Sequence, residues 1–253
     1  MKYRNLIAIT ALLFAMAAAI LAQGGQRGGQ APAQTPKAAA PIDLTGYWVS
    51  IVTEDWRFRM VTPPKGDFAS IPTNPAGVQA SNQWDPAKDE AAGEQCKSYG
   101  APAIMRVPGR VHVTWDNDTT LKVETDAGQQ TRLFHFGEFQ PPTGPATWQG
   151  NSAANWEVAG GRGRGGPPAG GSLKVVTTGI RSGYLRKNGY TYSEKAAVTE
   201  YYDRTNETNG DSWLIVTTIV NDPVYLGQEF ITSTHFKKQA DAAGWNPQPC
   251  TAR

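Results

Sequence analysis

Three histidines, His112, His135 and His235, are the first candidates for chemistry, because each falls on a different strand-like segment. Imidazoles from neighbouring strands can form an open metal site inside a barrel. Alternation argues against that arrangement. His112 lies opposite the face of Val111, Val113 and Trp115, His135 sides with Leu133 rather than with Phe134 and Phe136, and His235 sides with Ser233 and Lys237 away from Phe236. No His-x-x-x-His spacing ties them together. We expect separate surface or half-buried histidines and no bound metal.

Glu200, Tyr202 and Arg204 alternate along one strand and share a face with Val198. Inside a barrel, a carboxylate, a phenol and a guanidinium could orient a polar ligand group, or transfer protons if burial raised the carboxyl pKa. On an outer face they would be a solvated Glu–Arg pair. The eight tryptophans exceed what one core cluster needs, so some should be exposed as stacking surfaces. Trp56 and Trp84 flank a long Pro-rich segment, with Arg57, Phe58 and Arg59 beside Trp56. The expected ligand-binding set is Trp115, Trp156, Glu200, Tyr202 and Arg204. The candidates for a catalytic base are Glu200 and His135.

Familiar catalytic signatures are missing. Gly150-Asn151-Ser152-Ala153-Ala154 lacks the final Gly of a nucleophile elbow and precedes a strand. There is no zinc-protease helix motif, phosphate loop, dinucleotide Gly motif or haem-attachment Cys pair, so no cofactor is expected. The formal charge of +2 includes Lys2 and Arg4, which lie in a segment expected to be removed, so neither nucleic acid nor an anionic membrane is an expected partner.

The elements that would position these residues are mostly strands. Charged residues make up only 18% of the chain while Gly (27) and Pro (18) run high, which disfavours a helical bundle. Strand patterns occupy 44–54, 104–107, 110–115, 121–125, 131–136, 153–158, 173–178, 197–204, 213–220 and 230–238. The turns at Asn117-Asp118 and Ala127-Gly128 are too short for crossovers and make an antiparallel meander of three strands. One helix is expected over 86–96, with Asp85 as N-cap and Pro86 in its first turn. Residues 56–84 read as a long irregular segment, the kind that forms a binding loop, a lid or a crossing connection. The fold class is all-β, a single antiparallel meander barrel of lipocalin-like type, with a β-sandwich as the alternative.

At the N-terminus, residues 1–22 have the charged start, apolar run and small Ala22 of a signal peptide. Cleavage near Ala22 would place the protein in the periplasm or outside the cell, with no transmembrane span left. Residues 23–41 read as a disordered linker and 42–253 as one β domain. A Gly-rich stretch over 159–172 reads as a flexible hairpin loop. Cys96 and Cys250 are the only cysteines, and an exported chain is expected to join them.

The opening Leu44-Thr45-Gly46-Tyr47-Trp48 resembles that of lipocalin-like and avidin-like barrels, whose Trp closes the barrel floor. Beyond it, residues 43–250 resemble a widespread, uncharacterised family of exported β-rich proteins from environmental bacteria. The resemblance rests on Gln95-Cys96 with Pro102-Ala103-Ile104-Met105, Gly109-Arg110-Val111 with Trp115-Asp116, and Trp148-Gln149-Gly150-Asn151-Ser152 with Trp156-Glu157. It continues through Leu173 to Thr178, Ser193-Glu194, Glu200-Tyr201-Tyr202-Asp203-Arg204 and Asp222-Pro223. Members commonly carry a tight Gly-Asp-Thr turn where this chain has its Gly-rich stretch. The resemblance implies export and a β fold, and no particular chemistry.

Taken together, the residues favour an exported barrel whose interior or mouth binds a small, partly apolar molecule such as a lipid, terpenoid or aromatic. Two alternatives stand beside it. One is a cofactor-independent hydratase, isomerase or hydrolase with Glu200 or a histidine as base. The other is an envelope protein that forms a complex through exposed Trp and strand edges.

Overall fold

The computed structural model describes residues 34–141, 143–158 and 170–253. The expected signal segment, the linker to residue 33 and residues 159–169 of the Gly-rich stretch lie outside the described residues. Eleven strands are present: β1 (Gly46–Ile51), β2 (Arg110–Asn117), β3 (Thr120–Thr125), β4 (Gln130–Phe136), β5 (Asn151–Val158), β6 (Gly171–Thr178), β7 (Gly183–Tyr184), β8 (Thr191–Tyr192), β9 (Ala197–Asn206), β10 (Ser212–Asn221) and β11 (Phe230–Lys238). Nine of them close into a barrel in the order β1-β11-β10-β9-β6-β5-β4-β3-β2, and β7 and β8 form a small separate sheet. The fold is an all-β barrel, not a sandwich.

Alternation explains the closure. On β9, Val198, Glu200 and Tyr202 are buried; on β10, Leu214, Val216, Thr218 and Val220; on β4, Arg132, Phe134 and Phe136. These rows all point into the barrel, those of β9 and β10 side by side and that of β4 from another part of the wall, while the alternate residues face outward. Every junction is antiparallel except β4–β5, which is parallel, with Phe134 opposite Ser152 and Phe136 opposite Ala154. The chain therefore travels the length of the barrel between Phe136 and Asn151 before pairing again.

Each end of the barrel is closed differently. At the end where β1 begins, Trp48 is fully buried and its Nε1 donates to Leu44 O at 2.9 Å. Segment 35–41, expected to be disordered, packs here instead. Trp156 Nε1 donates to Pro36 O at 2.8 Å and Lys37 N to Asp118 O at 3.2 Å. The segment is held because Trp156 offers an indole N–H that needs an acceptor and a ring that needs cover.

The opposite end carries a cap built from residues 52–109, 179–196 and 222–229. Its own core includes Ile71, Ile180, Leu185, Tyr190, Tyr192 and Leu226, packed onto Val198, Val220 and Phe230 at the strand ends. Part of the segment expected to be irregular is helical: α1 (Trp56–Arg59) and α2 (Pro75–Ser81) precede α3 (Pro86–Ala91). For α2 the cause is local, since Asn74 caps it through Gly77 N at 2.7 Å and Pro75 occupies the first turn. Asp85 caps α3 as expected, accepting from Ala87 N at 3.1 Å. The helix stops at Ala91, short of Cys96, and a 3-10 turn follows over Gln95–Tyr99. Ile104–Arg106, expected as part of a strand, is also a 3-10 turn.

Cys96 and Cys250 form a disulfide, with Cα atoms 5.1 Å apart across a sequence separation of 154. It pins the C-terminal segment against the β3–β4 turn, where Gly128 N donates to Gln248 O at 2.9 Å. Gly128 has φ +78, and an added Cβ would collide with the Tyr99 ring, so the turn needs glycine. Among the described residues no helix is long and apolar enough to cross a membrane.

Candidate functional site

The barrel interior is filled. Trp48, Phe134, Leu173, Val175, Leu214 and Val216 have essentially no surface that even an internal water could touch. Within this interior lies a polar network. Arg132 Nη1 donates to Glu200 Oε1 at 2.9 Å and Nη2 to Glu200 Oε2 at 2.6 Å, a bidentate pair with both side chains fully buried. Nη2 also donates to Thr177 Oγ1 at 3.2 Å, which bonds Ser152 Oγ at 2.8 Å, and Tyr202 donates to Glu200 Oε1 at 3.2 Å. Burial disfavours charge on Arg132, but the Glu200 carboxylate outweighs it and holds the guanidinium above its ordinary pKa. Burial, and next the Glu200 charge, push the Tyr202 phenol well up. A carboxylate engaged on both oxygens and sealed from solvent is a structural tie rather than a working base.

The expected ligand set is therefore spread over separate places. Glu200 and Tyr202 belong to the sealed network. Arg204 shares their face, as alternation predicts, but sits at the rim, donating to Asp43 O at 2.7 Å. The guanidinium that pairs with Glu200 is Arg132, from across the barrel. Trp115 and Trp156 form an aromatic cluster with Phe136, with ring centroids 5.4–6.5 Å apart, beneath the 35–41 segment.

The histidines do not meet. His112 stacks on Tyr47 at 4.0 Å and lies 3.4 Å from Glu124. His135 stacks on Phe139 at 4.4 Å, and burial, partly offset by Asp116, lowers its pKa. His235 lies 3.2 Å from Thr53 Oγ1 and 3.4 Å from Glu54. Among the described residues no group of three or more His, Cys, Asp or Glu side chains could hold a metal ion.

A cleft of about 510 Å³ lies between the cap and the barrel end. None of the five expected ligand residues lines it. Its walls come from α1 and the residues after it, the 98–110 segment, the β3–β4 turn, residues 185–187 and the C-terminal 246–251. Its lining mixes apolar residues, Phe58, Met60, Val61, Tyr99, Val107 and Leu185, with the cations Arg59, Arg106, Arg110, Arg186 and Lys187 and one acid, Asp126.

The arginines are held by the cap itself. Arg59 pairs with Glu54 and donates from Nε to Arg106 O at 2.8 Å. Arg106 Nη2 donates to Asp55 Oδ2 at 3.0 Å. Asp55 sits in the left-handed backbone region at φ 48, uncommon for a non-glycine residue, and this turn opens α1. Arg186 Nη1 donates to Ala69 O at 2.9 Å, and its guanidinium lies 4.2 Å from the Phe58 ring centroid. Burial, and then the neighbouring Arg106 charge, push Arg186 down to about 10.

Sequence reasoning singled out Arg57, Phe58 and Arg59 but missed Arg106, Arg132 and Arg186. Arg132 carried a usable signal, since it precedes the inward Phe134 and Phe136 by two and four positions. The others are assembled from distant segments and carried none. Comparison of the chain with protein-family models, curated proteins and solved structures finds no match.

Proposed function

We propose that this is an exported barrel protein that holds a small, partly apolar ligand at one end of its barrel. The observation that carries this reading is the cleft of about 510 Å³, lined by apolar and cationic side chains together, outside an interior already filled by side chains. That size lies in the range of small-molecule sites, and mixed lining is what such sites use to combine burial with orientation. Export is supported by the Cys96–Cys250 bond, which suits an oxidising compartment. Met60 and Val61 are exposed at 60% and 66%, an apolar lip that a bound molecule would cover.

Native mass spectrometry on mature protein purified from its own host tests this. A small mass released on denaturation, and absent from a variant carrying Met60→Glu and Val61→Glu, is the expected result. Both positions are exposed, so the variant should fold. A bound mass that persists unchanged in that variant would remove the cleft from consideration.

A further inference from the structure

Among the cations lining the cleft, Arg186 is set apart by what it lacks. Arg59 has Glu54, Arg106 has Asp55 and Arg110 has Asp126 at 3.9 Å. Among the described residues neither Arg186 nor Lys187 has a carboxylate within ion-pair distance. Arg186 is 5% exposed, so its charge is largely withdrawn from water; Asp55 and Asp67 favour that charge from a distance, but no carboxylate touches it, and a buried charge without a direct partner is costly. Lys187 donates to Thr251 Oγ1 at 3.2 Å and lies over the Tyr99 ring.

The pattern of satisfied atoms is specific. Nη1 of Arg186 is bonded to Ala69 O, whereas Nε and Nη2 are covered by neighbouring side chains and have no hydrogen-bond partner, as is true of Nη1 of Arg106. Nε and Nη2 form one edge of the guanidinium, two parallel N–H groups whose spacing matches the two oxygens of a carboxylate or phosphate. Phe58 on the guanidinium face and Ala69 O on its far edge fix the orientation of that fork.

We propose that Arg186 is the anion-binding residue of the cleft: its Nε and Nη2, which neighbouring side chains cover at rest, grip the carboxylate or phosphate head group of an anionic amphiphile once those side chains move aside. Arg106 and Lys187 supply further positive charge, and the apolar part of the ligand lies along Phe58, Met60, Val61 and Leu185. This rests on the cleft being the binding site and adds the chemical class of its ligand.

Calorimetric titration of the mature protein with octanoate, octyl phosphate and 1-octanol tests it, using wild type, Arg186→Lys and Arg186→Gln, each checked for an unchanged thermal midpoint. Octanoate or octyl phosphate should bind about tenfold or more tightly than octanol. Arg186→Lys keeps the charge and a donor for Ala69 O but loses the fork, and it should lose most of that preference. Which anion binds more tightly identifies the head group. If octanol binds as well as the anions, the anion assignment falls while the cleft stands. Anion preference that survives in both variants also overturns it. If no probe binds, the assignment and the cleft reading fall together. Should Arg186→Gln not fold, Arg186→Lys and Lys187→Ala carry the same comparison.

Discussion

Arg132 on β4 and Glu200 on β9 meet across the barrel through two parallel hydrogen bonds, at 2.9 and 2.6 Å, with no water-accessible surface on either head group. Such a pair is costly to break from one side. Glu200→Gln or Arg132→Met alone should destabilise the protein by about 3–5 kcal/mol, since each leaves an uncompensated buried group. Combining Arg132→Met with Glu200→Leu should recover much of that loss. Denaturant midpoints for the two singles and the double decide it, and additive losses would show that the pair is not coupled.

The 35–41 segment should behave as a lid on the Trp115, Phe136 and Trp156 cluster. Removing it deprives Trp156 Nε1 of Pro36 O. We expect a red shift of tryptophan emission and a loss of about 1–2 kcal/mol, the scale of one hydrogen bond and modest apolar cover. An unchanged spectrum would mean that the segment does not cover Trp156 in solution.

Reduction of Cys96–Cys250 should lower stability by up to about 5 kcal/mol, because the bond closes a loop of 154 residues. Pro249 and Thr251 belong to the cleft wall, so reduction should also weaken retention of any copurifying small mass. Melting with and without reductant, paired with native mass spectrometry, reads both effects. An identical midpoint would count against the disulfide as a stabilising link.

Acid should loosen the cap through Glu94. The Lys97 ammonium, and beyond it Arg181, hold its carboxyl below the usual range, despite some opposing burial. A depressed folded pKa means a contribution fully present above the unfolded carboxyl value and lost as pH falls through the folded one. Glu94→Gln should cost about 1 kcal/mol or less at neutral pH, because the pairs are partly exposed. The two proteins should converge in stability as pH drops below about 4. A difference that holds constant down to acid pH would contradict the assignment.

The barrel strands were legible because their burial alternates. Val111, Val113 and Trp115 on β2 and Leu214 to Val220 on β10 announce their faces in the residue types. Short apolar runs were not, and Ile104-Met105-Arg106-Val107 offers no period by which to tell a strand from a 3-10 turn. The cap of α2 was present in Asn74-Pro75, but the surrounding prolines masked it. Glu200 and Tyr202 could be placed together on one face of their strand, but alternation alone left open whether that face turned inward. Their partner Arg132 could not be identified, because pairing across a barrel depends on strand order rather than on spacing along the chain. The cleft was least legible of all, since five segments between residues 58 and 251 build it and each looks like an ordinary loop.

The single parallel junction has a further consequence, which is one of parity. Around a closed ring of strands, directions can alternate without a break only if the number is even. With nine strands, one junction must join two that run the same way, and here β4–β5 absorbs that mismatch. Losing any one of the seven strands that are antiparallel to both neighbours would force a second mismatch. Without β1, for example, β11 and β2 would face each other running in the same direction, at a seam whose connections are arranged for opposite ones. Outside β4 and β5 the ring is thus indivisible by single strands, and losing one of the other seven should cost the closed sheet rather than shrink it.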